Sequence, residues 1–128
     1  MLPAGHRLRR SSEFTDVMRS GRRAGRRTLV VHLRCARADD GILPAHEQPR
    51  VGFIVARSVG GAVVRNLVKR RLRAHMSTRL GRLSDGSQLV VRALPPAASA
   101  RGAELAADLD SALDAALRRC GQAPVMSS

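Results

Sequence analysis

Gly60-Gly61-Ala62-Val63-Val64-Arg65-Asn66-Leu67-Val68-Lys69-Arg70-Arg71-Leu72-Arg73 is the stretch that decides how this chain folds and what it meets. A double glycine opens it, and five cationic side chains follow without an acid. With helical phase counted from Arg65 at about 100° per residue, Lys69, Arg73, Asn66 and Arg70 fall at about 40°, 80°, 100° and 140°. Val68, Val64 and Leu67 fall at about −60°, −100° and −160°. The spacing predicts a helix that packs Val64, Leu67 and Val68 on a core and turns a cationic row with an amide in its middle outward. Arg71, at about −120°, lies within the apolar arc and must snorkel to its edge or find a partner. A fixed row of guanidinium and ammonium groups suits a polyphosphate backbone better than a small ligand. A solvated helix face ordinarily alternates in sign, and this one does not.

The rest of the chain points the same way. Its 128 residues carry 23 Lys and Arg against 10 acids, a net charge of +13. The imbalance is uneven: residues 1–37 hold ten Arg against Glu13 and Asp16, and residues 63–80 hold six cations and no acid. Glu104, Asp108, Asp110 and Asp114 sit together near the C-terminus instead. Such a distribution implies an oriented basic surface, with nucleic acid as its partner. Lys69 is the single lysine, and arginine's planar fork is the better phosphate and base ligand.

Composition also excludes several classes. No apolar run approaches the ~20 residues of a membrane span. Arg7, Arg9 and Arg10 have no apolar stretch behind them, so no secretory signal is expected and the cytoplasm is the expected compartment. Cys35 and Cys120 read as two separate thiols, with neither zinc-site spacing nor a disulfide framework. His6, His32, His46 and His75 are scattered, and no Ser/His/Asp order or carboxylate pair marks a protein-borne active site. A stand-alone nuclease would need clustered carboxylates for its metal.

Along the chain, residues 1–10 read as a basic arm and residues 121–128 as a flexible tail, with one RNA-binding domain over 11–120. A helix starts at Ser11 or Ser12, carries Phe14, Val17 and Met18 on one stripe and stops at Gly21. Residues 22–27 read as a basic turn. Thr28 to Arg34 reads as a strand with Leu29, Val31 and Leu33 on one face. Ala38 to Pro49 reads as a loop. Arg50 to Arg57 alternates Val51, Phe53 and Val55 against Gly52, Ile54 and Ala56, which suggests a central strand. The basic helix runs to about Gly81, Gln88 to Leu94 is a third long strand stopped by Pro95 and Pro96, and a last helix spans about Ala103 to Arg119. Leu105, Leu109, Leu113, Ala116 and Leu117 form its buried stripe. The order α-β-β-α-β-α describes an α+β fold, a single-domain sandwich of a central sheet with three helices.

At this level of detail the chain resembles the protein component of bacterial ribonuclease P over residues 7–119. The resemblance rests on Arg7-Leu8-Arg9-Arg10, on Phe14-x-x-Val17 ending at Gly21, and on Arg50-Val51-Gly52-Phe53. Its strongest part is Gly60-x-Ala62-Val63-x-Arg65-Asn66-x-x-Lys69-Arg70-x-x-Arg73. The resemblance implies an accessory subunit that binds a large catalytic RNA. That RNA, with Mg²⁺ held mainly by itself, removes the 5′ leader of precursor tRNA. It implies that Arg65, Asn66, Lys69, Arg70 and Arg73 contact the catalytic RNA and that Phe14, Met18, His32 and Arg57 line or flank the leader cleft, with no catalytic or metal-binding residue on the protein. Read without the resemblance, Phe14 serves equally as a core side chain and His32 as an exposed strand residue. Leu67 stands where the family has a second arginine, Gly61 where it commonly has asparagine, and Met18 and His32 where it often has aromatics. Phe14 and Phe53 are the only aromatic side chains besides the imidazoles, so leader binding must rest on charge and arginine stacking rather than aromatic platforms. The competing reading is a small basic ribosomal RNA-binding protein, which has no need of the signature spacing after a double glycine.

Overall fold

The computed structural model describes residues 11–35, 49–84 and 86–120. The basic arm, the tail and most of the loop expected over 38–49 therefore lie outside the described residues. Element order is α1 (Ser11–Ser20), β1 (Arg22–Gly25), β2 (Leu29–Arg34), β3 (Arg50–Ile54), α2 (Ala62–Ser77), β4 (Gln88–Ala93) and α3 (Gly102–Arg119). The α+β sandwich expected from the sequence is what forms, with one strand more. Arg22–Gly25, expected to be a turn, pairs antiparallel with β2, Arg22 opposite Leu33 and Gly25 opposite Val30. Only Ala24 of that strand is buried, so it lacks the hydrophobic alternation by which a strand is recognised.

The sheet order is β1-β2-β4-β3. β2 and β4 are its interior strands, paired antiparallel with His32 opposite Val90. β3 is an edge strand among those described, parallel to β4, which corrects the expectation of a central position. Val51, Phe53 and Val55 pack into the main core while Ile54 packs with α1 on the other face. Helices cover both faces, so apolar residues on both sides of a strand do not require strands on both sides. A parallel pair needs a crossover, and α2 supplies it between β3 and β4. That connection lays α2 on the sheet face that α3 also covers.

The main core joins Leu29, Val31 and Leu33 of β2 to Leu89 and Val91 of β4, to Val68, Leu72 and Met76 of α2, and to Leu105, Leu109, Leu113 and Leu117 of α3. Each fully buried leucine there contributes about 1.5–3 kcal/mol. α1 packs on the opposite face through Val17, with Phe14 and Met18 beside it, over Val90 and Ile54. Gly21 ends α1 where a Cβ would sit 2.4 Å from the Val17 carbonyl oxygen, so no larger residue fits without moving backbone. Gly86, at φ 83°, makes the left-handed turn into β4 that favours glycine.

Polar ties anchor α3. Thr28 is fully buried, and its N–H and Oγ1 both donate to Asp108 Oδ2, at 3.1 and 2.6 Å. Arg79 Nε and Nη2 donate to the two oxygens of Asp110 at 2.5 and 3.1 Å, holding that carboxyl below the usual carboxylate range. Arg82 bridges Asp110 at 3.1 Å and also Asp114. Cys35, just beyond β2, is disulfide-bonded to Cys120 at the end of α3, with Cα atoms 6.2 Å apart. The expectation of two separate thiols fails because their 85-residue separation hides a contact made only by tertiary packing. Asp108→Ala leaves the buried Thr28 N–H without its acceptor, so urea unfolding should show a loss of about 1–3 kcal/mol. Exposed Asp16→Ala serves as the control and should stay within about 0.5 kcal/mol.

Candidate nucleic-acid interface

The orientation of α2 is set by its C-terminal half. Val68, Leu72 and Met76, at i, i+4 and i+8, are its buried line, and that line points the opposite side to solvent. Asn66 and Arg70 lie on the exposed side. Arg65, Lys69 and Arg73 flank the buried line and are half-buried. Leu67, expected on the core, is 39% exposed, and Val63 is 82% exposed. The spacing of Val64, Leu67 and Val68 alone therefore places the apolar arc too far round; Leu72 and Met76 rotate it back. Arg71 does find a partner, donating to the Ala100 carbonyl at 3.2 Å.

The outer face of α2 is cationic without counter-charge. Among the described residues, Arg65, Lys69, Arg70 and Arg73 meet no carboxylate. Glu13 pairs with Arg50, Glu104 with Arg27, Asp110 with Arg79 and Arg82, and Asp114 with Arg82. The acids of α3 thus neutralise cations that hold the fold together. Arg65 Nε is buried with no hydrogen-bond partner among the described residues. Gly61 caps α2 with no side-chain hydrogen bond, and the first turn holds no acid. Free first-turn N–H groups and the positive helix end add to the attraction for phosphate.

A second surface lies across the sheet. Strand alternation puts Val30, His32, Gln88, Val90 and Arg92 on the face that α1 covers, and Arg23 beside His32 on β1. Phe14 and Met18 are half-buried beside this face, against the cluster of Val17, Val90 and Ile54. Phe14 is therefore both a packing residue and an accessible one. His32, read from sequence as an exposed strand residue, is only 6% exposed. Its Nδ1 and Nε2 are buried without hydrogen-bond partners among the described residues. Burial, then the charges of Arg23 and Arg92, lower its pKa from the usual histidine value, so it stands neutral with one donor and one acceptor. Arg57 is exposed on the turn after β3, three residues past Ile54 and separate from the α1 cluster. Arg23 and Arg92 were not singled out from sequence, although Arg92 interrupts an apolar strand at an alternating position, which is the usual mark of an outward polar group. The described residues contain no grouping of three or more His, Cys, Asp or Glu side chains able to hold a metal ion.

Two electropositive surfaces on opposite faces of one sheet suit a protein that meets more than one stretch of nucleic acid. A model of the Ribonuclease P family matches residues 2–117. The chain belongs to the ribonuclease P protein family. Its similarity to a ribonuclease P protein component of Streptomyces bikiniensis is 56% identity over 115 residues, 88% of this chain and 93% of the relative. One from Kocuria rhizophila is 48% identical over 120 residues, 94% of this chain and 99% of the relative. Among solved structures, the RNase P protein of Staphylococcus aureus superposes with a TM-score of 0.72 at 23% identity, covering 87% of this chain and 94% of that one. The RNase P protein of Thermotoga maritima gives a TM-score of 0.66 at 23% identity over 84% of this chain and 94% of that one. The fold is thus shared at low identity. Membership makes this chain the protein subunit of a tRNA 5′-processing ribonuclease that works with an RNA subunit, and sets aside the ribosomal alternative.

His32 offers a check on this electrostatic picture. A folded-state pKa below the unfolded value of about 6.5 means its contribution to stability is complete above that pH and is lost as pH falls through the folded value. His75 is shifted the same way, by burial first and then by Arg79, so the wild type must be compared with His32→Gln. Thermal unfolding at pH 7.5 and pH 5 should show the wild type losing more stability on acidification than the variant. Equal losses would mean that His32 is not held neutral.

Proposed function

We propose that this subunit uses two surfaces for two RNAs. The outer side of α2, with Asn66 and Arg70 foremost and Arg65, Lys69 and Arg73 at its flanks, binds the catalytic RNA. The groove between α1 and the sheet, lined by Phe14, Met18 and His32, takes the single-stranded 5′ leader of precursor tRNA, with Arg57 at its end. The observation that carries this reading is the uncompensated charge on α2, beside acids that are all but one engaged elsewhere among the described residues. Arg23 and Arg92 join the groove residues, since each can hold a leader phosphate, while the neutral imidazole of His32 is buried beneath them and serves the floor of the site.

Chemistry is assigned to the RNA. The protein's described donors do not fit the Mg²⁺ that the family resemblance implies, so the ion is placed on the RNA subunit, where it would activate water for hydrolysis of one phosphodiester. The protein's part is electrostatic and positional. It lowers repulsion between two polyanions and fixes the leader relative to the cleavage site. A role on precursor tRNA fits a cytoplasmic location. Among the described residues, no helix is long and apolar enough to cross a membrane.

Binding of the catalytic RNA should weaken steeply with salt. For about six neutralised phosphates, log K against log salt has a slope near ~−5, and Arg70→Ala should flatten it by about one. Fluorescence titration across salt concentrations measures both, and a flat dependence would remove the basic face from the interface. The two surfaces also separate by mutation. Arg70→Ala and Arg73→Ala should each raise the Kd for catalytic RNA about 3- to 10-fold, since contacts on an open face are worth roughly 1 kcal/mol. Met18→Ala and Arg57→Ala should instead reduce the reconstituted enzyme's preference for substrates with a leader over those without one. Equal loss on both substrates would return Met18 to a packing role.

A further inference from the structure

The contact between Cys35 and Cys120 joins the ends of β2 and α3 and includes none of the side chains assigned to either RNA surface. Cys35 follows the last residue of β2, Cys120 caps α3, and both pack half-buried against the main core. The approach of the ends of β2 and α3 is supported by packing other than the bond itself. Leu33 of β2 and Leu113 and Leu117 of α3 are buried together, the Cys120 N–H donates to the Ala116 carbonyl at 3.0 Å, and the Arg119 guanidinium donates to the Arg23 carbonyl. Cα atoms 6.2 Å apart lie in the range a disulfide spans without moving backbone. Two thiols held so close have a high effective concentration for each other, whichever redox state they start from.

We propose that Cys35 and Cys120 form a reversible thiol-oxidation site, a staple that locks the end of α3 to the end of β2 when the chain meets a low-molecular-weight disulfide. One cysteine thiolate attacks the small disulfide RSSR, forming a mixed disulfide and expelling RS⁻. The second thiolate attacks the protein sulfur of that mixed disulfide and expels the other RS⁻. The two cysteines lose two electrons and two protons in all, and RSSR is reduced to two RSH. In a reducing compartment such a bond is transient rather than permanent, which makes its state a reading of the surrounding thiol pool. The staple closes a loop spanning 85 residues, so it restricts the unfolded chain strongly and raises stability in the oxidised form.

The test uses the purified full chain without RNA, so its outcome is independent of the RNA-binding assignments. Incubation with oxidised glutathione should remove both alkylatable thiols while the protein stays monomeric by mass. The melting temperature should rise by roughly 5–15 °C, and a phosphine reductant should reverse both changes. C35S and C120S should each unfold near the temperature of the reduced wild type and show no rise with oxidant. Thiols that stay free under excess oxidant would overturn the proposal. So would a disulfide-linked dimer or a stable glutathione adduct as the main product, or an oxidised monomer that melts where the reduced one does.

Discussion

The antiparallel pairing of β2 with β4 has to satisfy two layers at once. Successive strand residues point to opposite faces, so Leu29, Val31 and Leu33 with Leu89 and Val91 serve the core under α2 and α3, while Val30, His32 and Val90 serve the face under α1. A slip of one residue in this register would expose one core and bury the charged residues of the other face. Because the pair holds α1 on one side and both longer helices on the other, the two cationic surfaces cannot merge. That separation is what the proposal of two RNA segments on one small subunit rests on.

Charge is arranged by the same packing. α3 presents Asp108, Asp110 and Asp114 toward Thr28, Arg79 and Arg82, and these contacts fasten α3 to β2 and to the end of α2. With those acids engaged, nothing among the described residues shields the middle of α2. The buried line of Val68, Leu72 and Met76 then fixes which cations face out. Leu67 and Val63 stand among them on the exposed side, an apolar edge within the cationic face.

Much of this was legible in the sequence because its signals are local. The stripes of α1 and α3, the alternation of β2 and the sign of α2 all follow from residues a few positions apart, and each forms where expected. What was not legible depends on contacts across the fold. Arg22–Gly25 becomes a strand only because β2 offers it an edge. β3 reads as central because helices, not strands, cover both its faces. The rotation of α2 is decided by Leu72 and Met76 meeting α3, and the burial of His32 by α1 crossing above it. Cys35 and Cys120 meet because β2 and α3 end at the same corner of the sheet.

The claim that two separated surfaces hold two different RNAs is tested most directly by cross-linking. A photoreactive phenylalanine analogue would be placed at position 70 or at position 18, and each protein reconstituted with the RNA subunit and an end-labelled precursor tRNA. The account predicts that position 70 cross-links to the RNA subunit and not to the leader, and that position 18 cross-links to leader nucleotides. Cross-links from position 18 to the RNA subunit alone, or from position 70 to the leader, would contradict it.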